Sequence, residues 1–229
     1  MFKSVEFYEE KKKIAELVKK LVSEGTIIPT RGQLAYRSFE NAIIIKTTGK
    51  SMIMPNDYCV VIEKKVYLPD GKIEDLHPGK NVSNQFPIFK VIFDKREDVN
   101  VIIHFYIPYV DVISSFLKGK DLISPDILWG LKSGIPIEEF PHSEKFTDMK
   151  DITKLYESLS QKYIVKEKNP GFIVEHLGTW LVASDLDIMY VDVKILELTA
   201  KTMVYKKILG MTLEMPTNLK NLMEKVIKK

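Results

Sequence analysis

Cysteine is nearly absent from this sequence, which has Cys59 as its single thiol. One cysteine cannot form an internal disulfide, so the fold must depend on packing, as is usual in a reducing cytoplasm. The sequence also lacks an apolar run of about 20 residues, the length that a membrane-spanning helix needs, and an apolar signal core after Met1. These absences predict a soluble cytoplasmic protein with no membrane partner.

An excess of one charge is lacking as well. The 34 Lys and Arg residues nearly balance the 31 Asp and Glu residues, which leaves a net charge of +3. Proteins that bind nucleic acid usually concentrate positive charge on one face. Here the densest basic runs, 11–13 and 228–229, lie near the chain ends, where solvated surface is the simpler interpretation. We therefore expect no nucleic-acid partner.

What the sequence has is 229 residues with 45% hydrophobic content, enough for one sizeable core, and we expect a single domain over 1–229. Apolar residues recur at helical spacing from Phe7 to Val22, and Gly25 follows as a natural stop. Further helices are predicted at 86–93, 108–116, 148–163 and 186–209, and strands at 42–45, 58–62, 99–105, 171–175 and 179–182. Helices interleaved with strands predict an α/β layered domain around a central sheet.

Two of the four histidines stand where predicted strands end. His104 follows the apolar run 101–103, and His176 follows the run 172–174 and Glu175. Neutral imidazole is a common ligand for zinc and related ions, so the two side chains could converge on one metal. The alternative is that each is an ordinary strand-end histidine, hydrogen-bonded or solvated, because two ligands do not make a tight site. Since successive strand side chains alternate, Glu175 is expected to point away from His176.

The residues around these histidines resemble a known family. His104-Phe105-Tyr106 is similar to the His-x-His of class II aldolases, and the segment 175–178 is similar to their later Asn-His-Gly. Four more segments match family motifs in the same order: 30–37 the glycine loop, 46–49 the Thr-Pro-Ser/Thr-Gly turn, 83–85 Ser-Ser-Glu, and 196–200 Leu-Glu-x-x-Ala. The chain thus resembles the class II aldolase and adducin N-terminal domain family, such as fuculose-phosphate aldolase and ribulose-phosphate 4-epimerase, over about residues 7–210.

The resemblance implies a three-layer α/β/α sandwich around a largely antiparallel sheet, with a C-terminal helix at 211–229. It also implies a homo-oligomer, commonly a tetramer, with sites near subunit boundaries. Four apolar residues near the C-terminus are a candidate subunit contact, and packing onto their own domain is the alternative: Leu219, Leu222, Met223 and Val226.

The chemistry that the resemblance implies centres on a divalent ion, zinc in the usual case. Three histidines hold the ion, which polarises the carbonyl of a sugar phosphate and stabilises an enediolate as a carbon–carbon bond breaks. Carried over to this sequence, the metal positions are His104, Tyr106 and His176, and the acid/base position is Gln85. The positions that bind the substrate phosphate are Gly32, Gln33, Thr48, Gly49, Ser83 and Asn84.

Two of these positions depart from the family pattern. Tyr106 replaces a histidine, and a phenol with a pKa near ~10 is a poor metal ligand at neutral pH, although it could act as a proton donor. Gln85 replaces a glutamate and cannot accept a proton. Loss of a general acid–base group typically costs ~10²–10⁴ in rate, so the usual mechanism would be badly impaired.

Two hypotheses therefore remain for the function. The first is a metal-dependent lyase, epimerase or dehydratase that acts on a small phosphorylated sugar. The second is a non-catalytic descendant that keeps the fold for binding a ligand or a partner, as adducins do. Metal content separates them, because an enzyme of this type should hold about one ion per chain.

Overall fold

The computed structural model describes residues 7–117, 119–122, 135–139 and 148–211. Its helices are α1 (Tyr8–Ser23), α2 (Phe86–Lys95), α3 (Pro108–Ser114), α4 (Met149–Leu159) and α5 (Leu186–Ile208). Its strands are β1 (Gly32–Arg37), β2 (Ile43–Lys46), β3 (Tyr58–Ile62), β4 (Lys65–Tyr67), β5 (Ile73–Asp75), β6 (Val101–Phe105), β7 (Asp121–Leu122), β8 (Ile135–Glu138), β9 (Gly171–Val174) and β10 (Gly178–Ala183). Apart from Met211, the predicted C-terminal helix and its apolar contact lie outside the described residues.

The strands of these ranges form one open sheet in the order β5-β4-β3-β2-β1-β6-β10-β9-β8-β7. Neighbouring strands are antiparallel except β8 and β9, which run parallel. The central strands β1, β6 and β10 are paired on both sides, and they carry three of the residues that the family resemblance singles out, namely Gly32, Gln33 and His104. The expectation of a largely antiparallel sheet is confirmed.

Two separate hydrophobic cores lie on the two faces of this sheet. Alternation along each strand sends neighbouring residues to opposite faces, so Ile103 joins one core and Ile102 the other. Helices α1, α3 and α5 cover the first face, for example through Ile14 and Val193. Helices α2 and α4 cover the second, for example through Phe89. The predicted α/β/α sandwich is therefore confirmed.

The main difference from the sequence prediction is β1, because residues 30–37 were expected to form a loop. Residues Gly32–Arg37 instead pair with β2 on one side and β6 on the other. The short strands β4, β5, β7 and β8 were not predicted either, since strands of two to four residues carry little periodic signal. The helix expected at 148–163 ends as an α-helix at Leu159 and continues as a π-helical turn, Ser160–Lys166.

In the described part of the chain, no helix is both long enough and apolar enough to cross a membrane.

Candidate functional site

A row of side chains crosses one face of the sheet where β6 ends. The register places Gln33 of β1 and Trp180 of β10 on either side of His104 of β6. Thr47 directly follows β2, and continuing the pairing of Ala35 with Ile45 brings it beside Gln33. The row lies on the face covered by α2 and α4, because Trp180 packs in that core.

His104 is enclosed by aromatic rings and is only 3% exposed. Its ring stacks on Trp180 with centroids 4.9 Å apart and planes 16° apart. The ring of Tyr156 from α4 meets it edge-on, also at 4.9 Å. Its Nε2 lies 2.7 Å from the carbonyl oxygen of Leu177, and its Nδ1 lies 3.1 Å from the side-chain amide of Gln85.

These contacts fix the protonation state of His104. Burial lowers its pKa to about 4, so the ring is neutral at neutral pH. Since the Leu177 carbonyl can only accept, Nε2 carries the hydrogen and Nδ1 accepts one from the Gln85 amide, whose O and NH₂ exchange by a 180° rotation. The Tyr156 hydroxyl donates to the same carbonyl at 2.8 Å. Both ring nitrogens are therefore used within the protein.

Gln85 reaches His104 because of the turn that precedes α2. Its backbone N–H donates to the Ser83 hydroxyl at 3.1 Å, and Pro87 lies in the first helical turn, where the missing N–H costs nothing. Ser83 and Gln85 are both buried, whereas Asn84 between them is exposed. The acid/base position of the family thus holds an amide that is bonded to the histidine.

The positions expected to bind phosphate lie next to this turn. A bridge between Thr47 and Val82 brings the turn 47–50 against the segment 81–84. Thr48 and Gly49 are exposed there, and Gly49 has φ +80°, which glycine adopts without strain. Gly32 is set apart in β1, where an added Cβ would lie 2.5 Å from the His104 carbonyl oxygen.

His176 lies in the turn between β9 and β10, and its side chain is 62% exposed. Its φ of +61° is in the left-handed region, and its Nε2 lies 3.4 Å from Glu175 Oε1. The prediction that Glu175 and His176 point to opposite faces is wrong, because β9 ends at Val174 and strand alternation stops there.

A second group of polar side chains consists of Arg31, Tyr106, Asp111 and His176. The ring of Tyr106 is 5.7 Å from that of His104. Burial raises the pKa of Tyr106, and the Asp111 carboxylate raises it further while Arg31 lowers it. Burial also raises the pKa of Asp111 to about 6, against the opposing effects of His176 and Arg31. Asp111 therefore lies within electrostatic range of each of the other three side chains.

The residues at the expected metal positions do not fit a three-histidine centre. Both nitrogens of His104 are hydrogen-bonded, and the raised pKa of Tyr106 disfavours the phenolate that an ion would need. No three His, Cys, Asp or Glu side chains of the described ranges are grouped as a metal would require.

Sequence reasoning missed three residues of the site. Tyr156 and Trp180 gave no functional signal in the sequence, and both are buried, where they hold His104 in place. Asp111 gave no signal of its own, because an acid in the first turn of a helix is ordinary. Only the fold brings Asp111 near Tyr106 and His176.

Comparison with known proteins agrees with this architecture. The model of the Class II Aldolase and Adducin N-terminal domain family matches residues 12–204. Escherichia coli YgbL, titled a putative aldolase/epimerase/decarboxylase, is 13% identical with a TM-score of 0.67, covering 94% of this chain and 98% of YgbL. An L-fuculose 1-phosphate aldolase is 17% identical with a TM-score of 0.64, covering 96% of each chain.

A sugar-phosphate aldolase from Thermotoga maritima is 19% identical with a TM-score of 0.64, covering 89% of this chain and 97% of that one. No curated protein matches this chain. At these identities the solved structures show a common fold alone.

Proposed function

Because this chain belongs to the class II aldolase and adducin N-terminal domain family, we propose that it binds a small phosphorylated sugar without the family's three-histidine metal centre. The binding site is the end of the sheet where Thr47, Gln33 and His104 lie in a row. Two structural neighbours, by their names, act on sugar phosphates. The ligand class is carried over from them, and the contacts of His104 support the absence of the metal centre.

The observation that carries the proposal is a buried oxygen beside His104. Gln33 Oε1 is shielded from solvent and has no hydrogen-bond partner among the described residues. Buried polar atoms are normally paired, and one left unpaired costs ~1–3 kcal/mol. A hydroxyl group of a bound sugar would supply the missing donor. The exposed hydroxyl of Thr48 and the amide of Asn84 lie at the adjoining turn, where the phosphate would bind.

A metal-dependent lyase or epimerase is the second candidate. It is favoured by the position of Tyr106, whose ring lies 5.7 Å from His104, and by the exposed imidazole of His176 on the neighbouring turn. This function would require His104 to give up a hydrogen bond to Gln85 or Leu177. It would also need a proton acceptor other than Gln85.

A cytoplasmic homotetramer completes the proposal. Cys59 is buried and unpaired, which suits a reducing compartment. Large apolar side chains stay exposed on α5, among them Leu198 and Ile208, and such groups commonly mark contacts between subunits.

Titration calorimetry with L-fuculose 1-phosphate, with and without EDTA, tests the proposal. We expect binding that EDTA leaves unchanged and that Gln33→Ala weakens about tenfold, the effect of losing one buried hydrogen bond of ~1.4 kcal/mol. Gln161→Ala is the matched control, because Gln161 is exposed in the π-helical turn away from β1.

Elemental analysis of the same protein separates the two candidates. We expect well below one divalent ion per chain in the wild type and no difference in a His104→Ala, His176→Ala double variant. Near-stoichiometric zinc, cobalt or manganese that the double variant loses would instead establish the metal-dependent candidate. Absence of both metal and sugar-phosphate binding would refute both and leave a non-catalytic interaction protein.

A further inference from the structure

The side-chain carboxylate of Asp111, in the first turn of α3, has a buried oxygen that no structural contact accounts for. Its backbone carbonyl accepts a hydrogen bond from the Ser114 hydroxyl at 2.8 Å, so the main chain is held in place. Its Oδ1, however, is shielded from solvent and has no hydrogen-bond partner in the described structure. Burying a carboxylate oxygen without a donor is costly, so a native protein rarely does so without a use for it.

Other enclosed acids of this chain show what a structural carboxylate looks like. Asp57 is buried and accepts hydrogen bonds from the Ser51 hydroxyl at 2.8 Å and the Met54 N–H at 3.0 Å. Glu197 accepts from the Thr26 hydroxyl at 2.9 Å and pairs with Lys194 at 2.5 Å. Both stabilise the fold through direct contacts, which Asp111 Oδ1 does not.

Two positively chargeable groups are near Asp111 without touching it. Arg31 and His176 both act on its carboxylate electrostatically. Yet within the described ranges no ion pair of 4.0 Å or less joins Asp111 to either of them. The arrangement is a carboxylate and a guanidinium held apart, with the phenol of Tyr106 in the same environment.

Asp111 and the expected phosphate-binding turn both lie near the end of the sheet that holds His104. The turn 47–50 follows β2, which lies two strands from β6. Asp111 acts electrostatically on Tyr106, whose ring lies 5.7 Å from that of His104. Two strand spacings are about 10 Å, so an extended sugar phosphate of several carbons bound at the turn would reach His104 and bring its hydroxylated carbon chain into the environment of Asp111.

From this geometry we infer that Asp111 is a ligand-binding residue that accepts hydrogen bonds from hydroxyl groups of a polyol chain. The inference rests on the proposed sugar-phosphate function, to which it adds a second recognition point. Carboxylates are acceptor-only when ionised and bind two hydroxyl donors well. Arg31 and Tyr106 then supply donors to the oxygens of the same chain.

Two probes isolate the polyol contact in titration calorimetry: L-fuculose 1-phosphate, which has a hydroxylated chain, and inorganic phosphate, which has none. For Asp111→Asn we expect about tenfold or greater loss of affinity for the sugar phosphate, with affinity for inorganic phosphate unchanged. Asp192→Asn is the matched control, because Asp192 is a similarly buried acid of α5 whose electrostatic neighbour is Asp185. Equal weakening of both probes, or of neither, would overturn the assignment.

Thermal unfolding of the ligand-free protein gives a second readout. If Asp111 serves to bind a ligand, Asp111→Asn removes an uncompensated buried charge from the ligand-free protein. The Tm should then rise by about 2–4 °C, the shift that a gain of ~1 kcal/mol in unfolding free energy produces in a chain of this size. A lower Tm would mean that Asp111 makes a stabilising contact, and would overturn the inference. If the wild type binds neither probe, the proposed function fails, and this melting result alone decides the role of Asp111.

Discussion

The neutral, buried state of His104 makes the stability of this protein depend on pH in a way that one variant can isolate. The ring is 3% exposed, and burial lowers its pKa from the ordinary 6.5 to about 4. Between these two values the unfolded chain binds a proton at His104 and the folded chain does not. Protonation therefore favours the unfolded state, and His104 makes the folded state less stable as the pH falls from 6.5 towards 4.

The size of the effect follows from the two pKa values. Each unit of pKa difference is worth ~1.4 kcal/mol, so lowering the pH from 8 to 4.5 should cost about 2–3 kcal/mol of unfolding free energy through His104 alone. Asp111 and Asp192 have the opposite sign, since burial raises both pKa values to about 6. Their deprotonation removes stability as the pH rises through that range. The total pH profile of the wild type therefore mixes opposing contributions.

The assay is urea unfolding of the wild type and of His104→Gln at several pH values between 4.5 and 8. The acids are common to both proteins, so the difference between the two curves reports His104. We expect the wild type to lose about 2–3 kcal/mol more than the variant over this interval. Parallel curves, or an NMR titration that gives His104 a pKa near 6.5, would refute the account of a buried neutral ring.

Two further predictions concern the surroundings of His104. Gly178→Ala should lower the unfolding free energy by about 2–4 kcal/mol in urea unfolding, because the new Cβ would lie 2.9 Å from the Phe105 carbonyl oxygen at φ +96°. Gly49→Ala, at φ +80° in open space, should cost only about 1–2 kcal/mol, and equal losses for the two variants would show that the clash with Phe105 is absent. Gln85→Glu should raise the pKa of His104 in an NMR titration, since a carboxylate beside Nδ1 favours the imidazolium; an unchanged pKa would mean that residue 85 does not contact the ring.

Membership of the family and the state of the site are separate findings. The family match extends over residues 12–204, and the sheet, helices and strand-end histidine are all in place. What differs is how His104 is used: its nitrogens bond to Gln85 and Leu177. A glutamine at position 85 suits this arrangement, because a neutral amide can donate to Nδ1 where a carboxylate cannot.

The sequence by itself determined the layered architecture and most of its long elements. Helical spacing identified α1, because a helix that covers a sheet shows its buried stripe in the sequence. Continuous apolar runs identified β6 and β10, which are buried on both faces. The replacements Tyr106 and Gln85 were visible from the motifs, since a change of residue type alone removes a ligand or a base.

Only the tertiary structure decided which side chains form the site and in what state. The strand β1 is stabilised by pairing with β2 and β6, which are distant in sequence, so its own residues carried too little signal. Tyr156 and Trp180 enclose His104 from other elements, and the pKa of the histidine depends on that enclosure. The unpaired oxygen of Asp111 is likewise a property of the packing, because hydrogen-bond partners are set by distance in space and not by position along the chain.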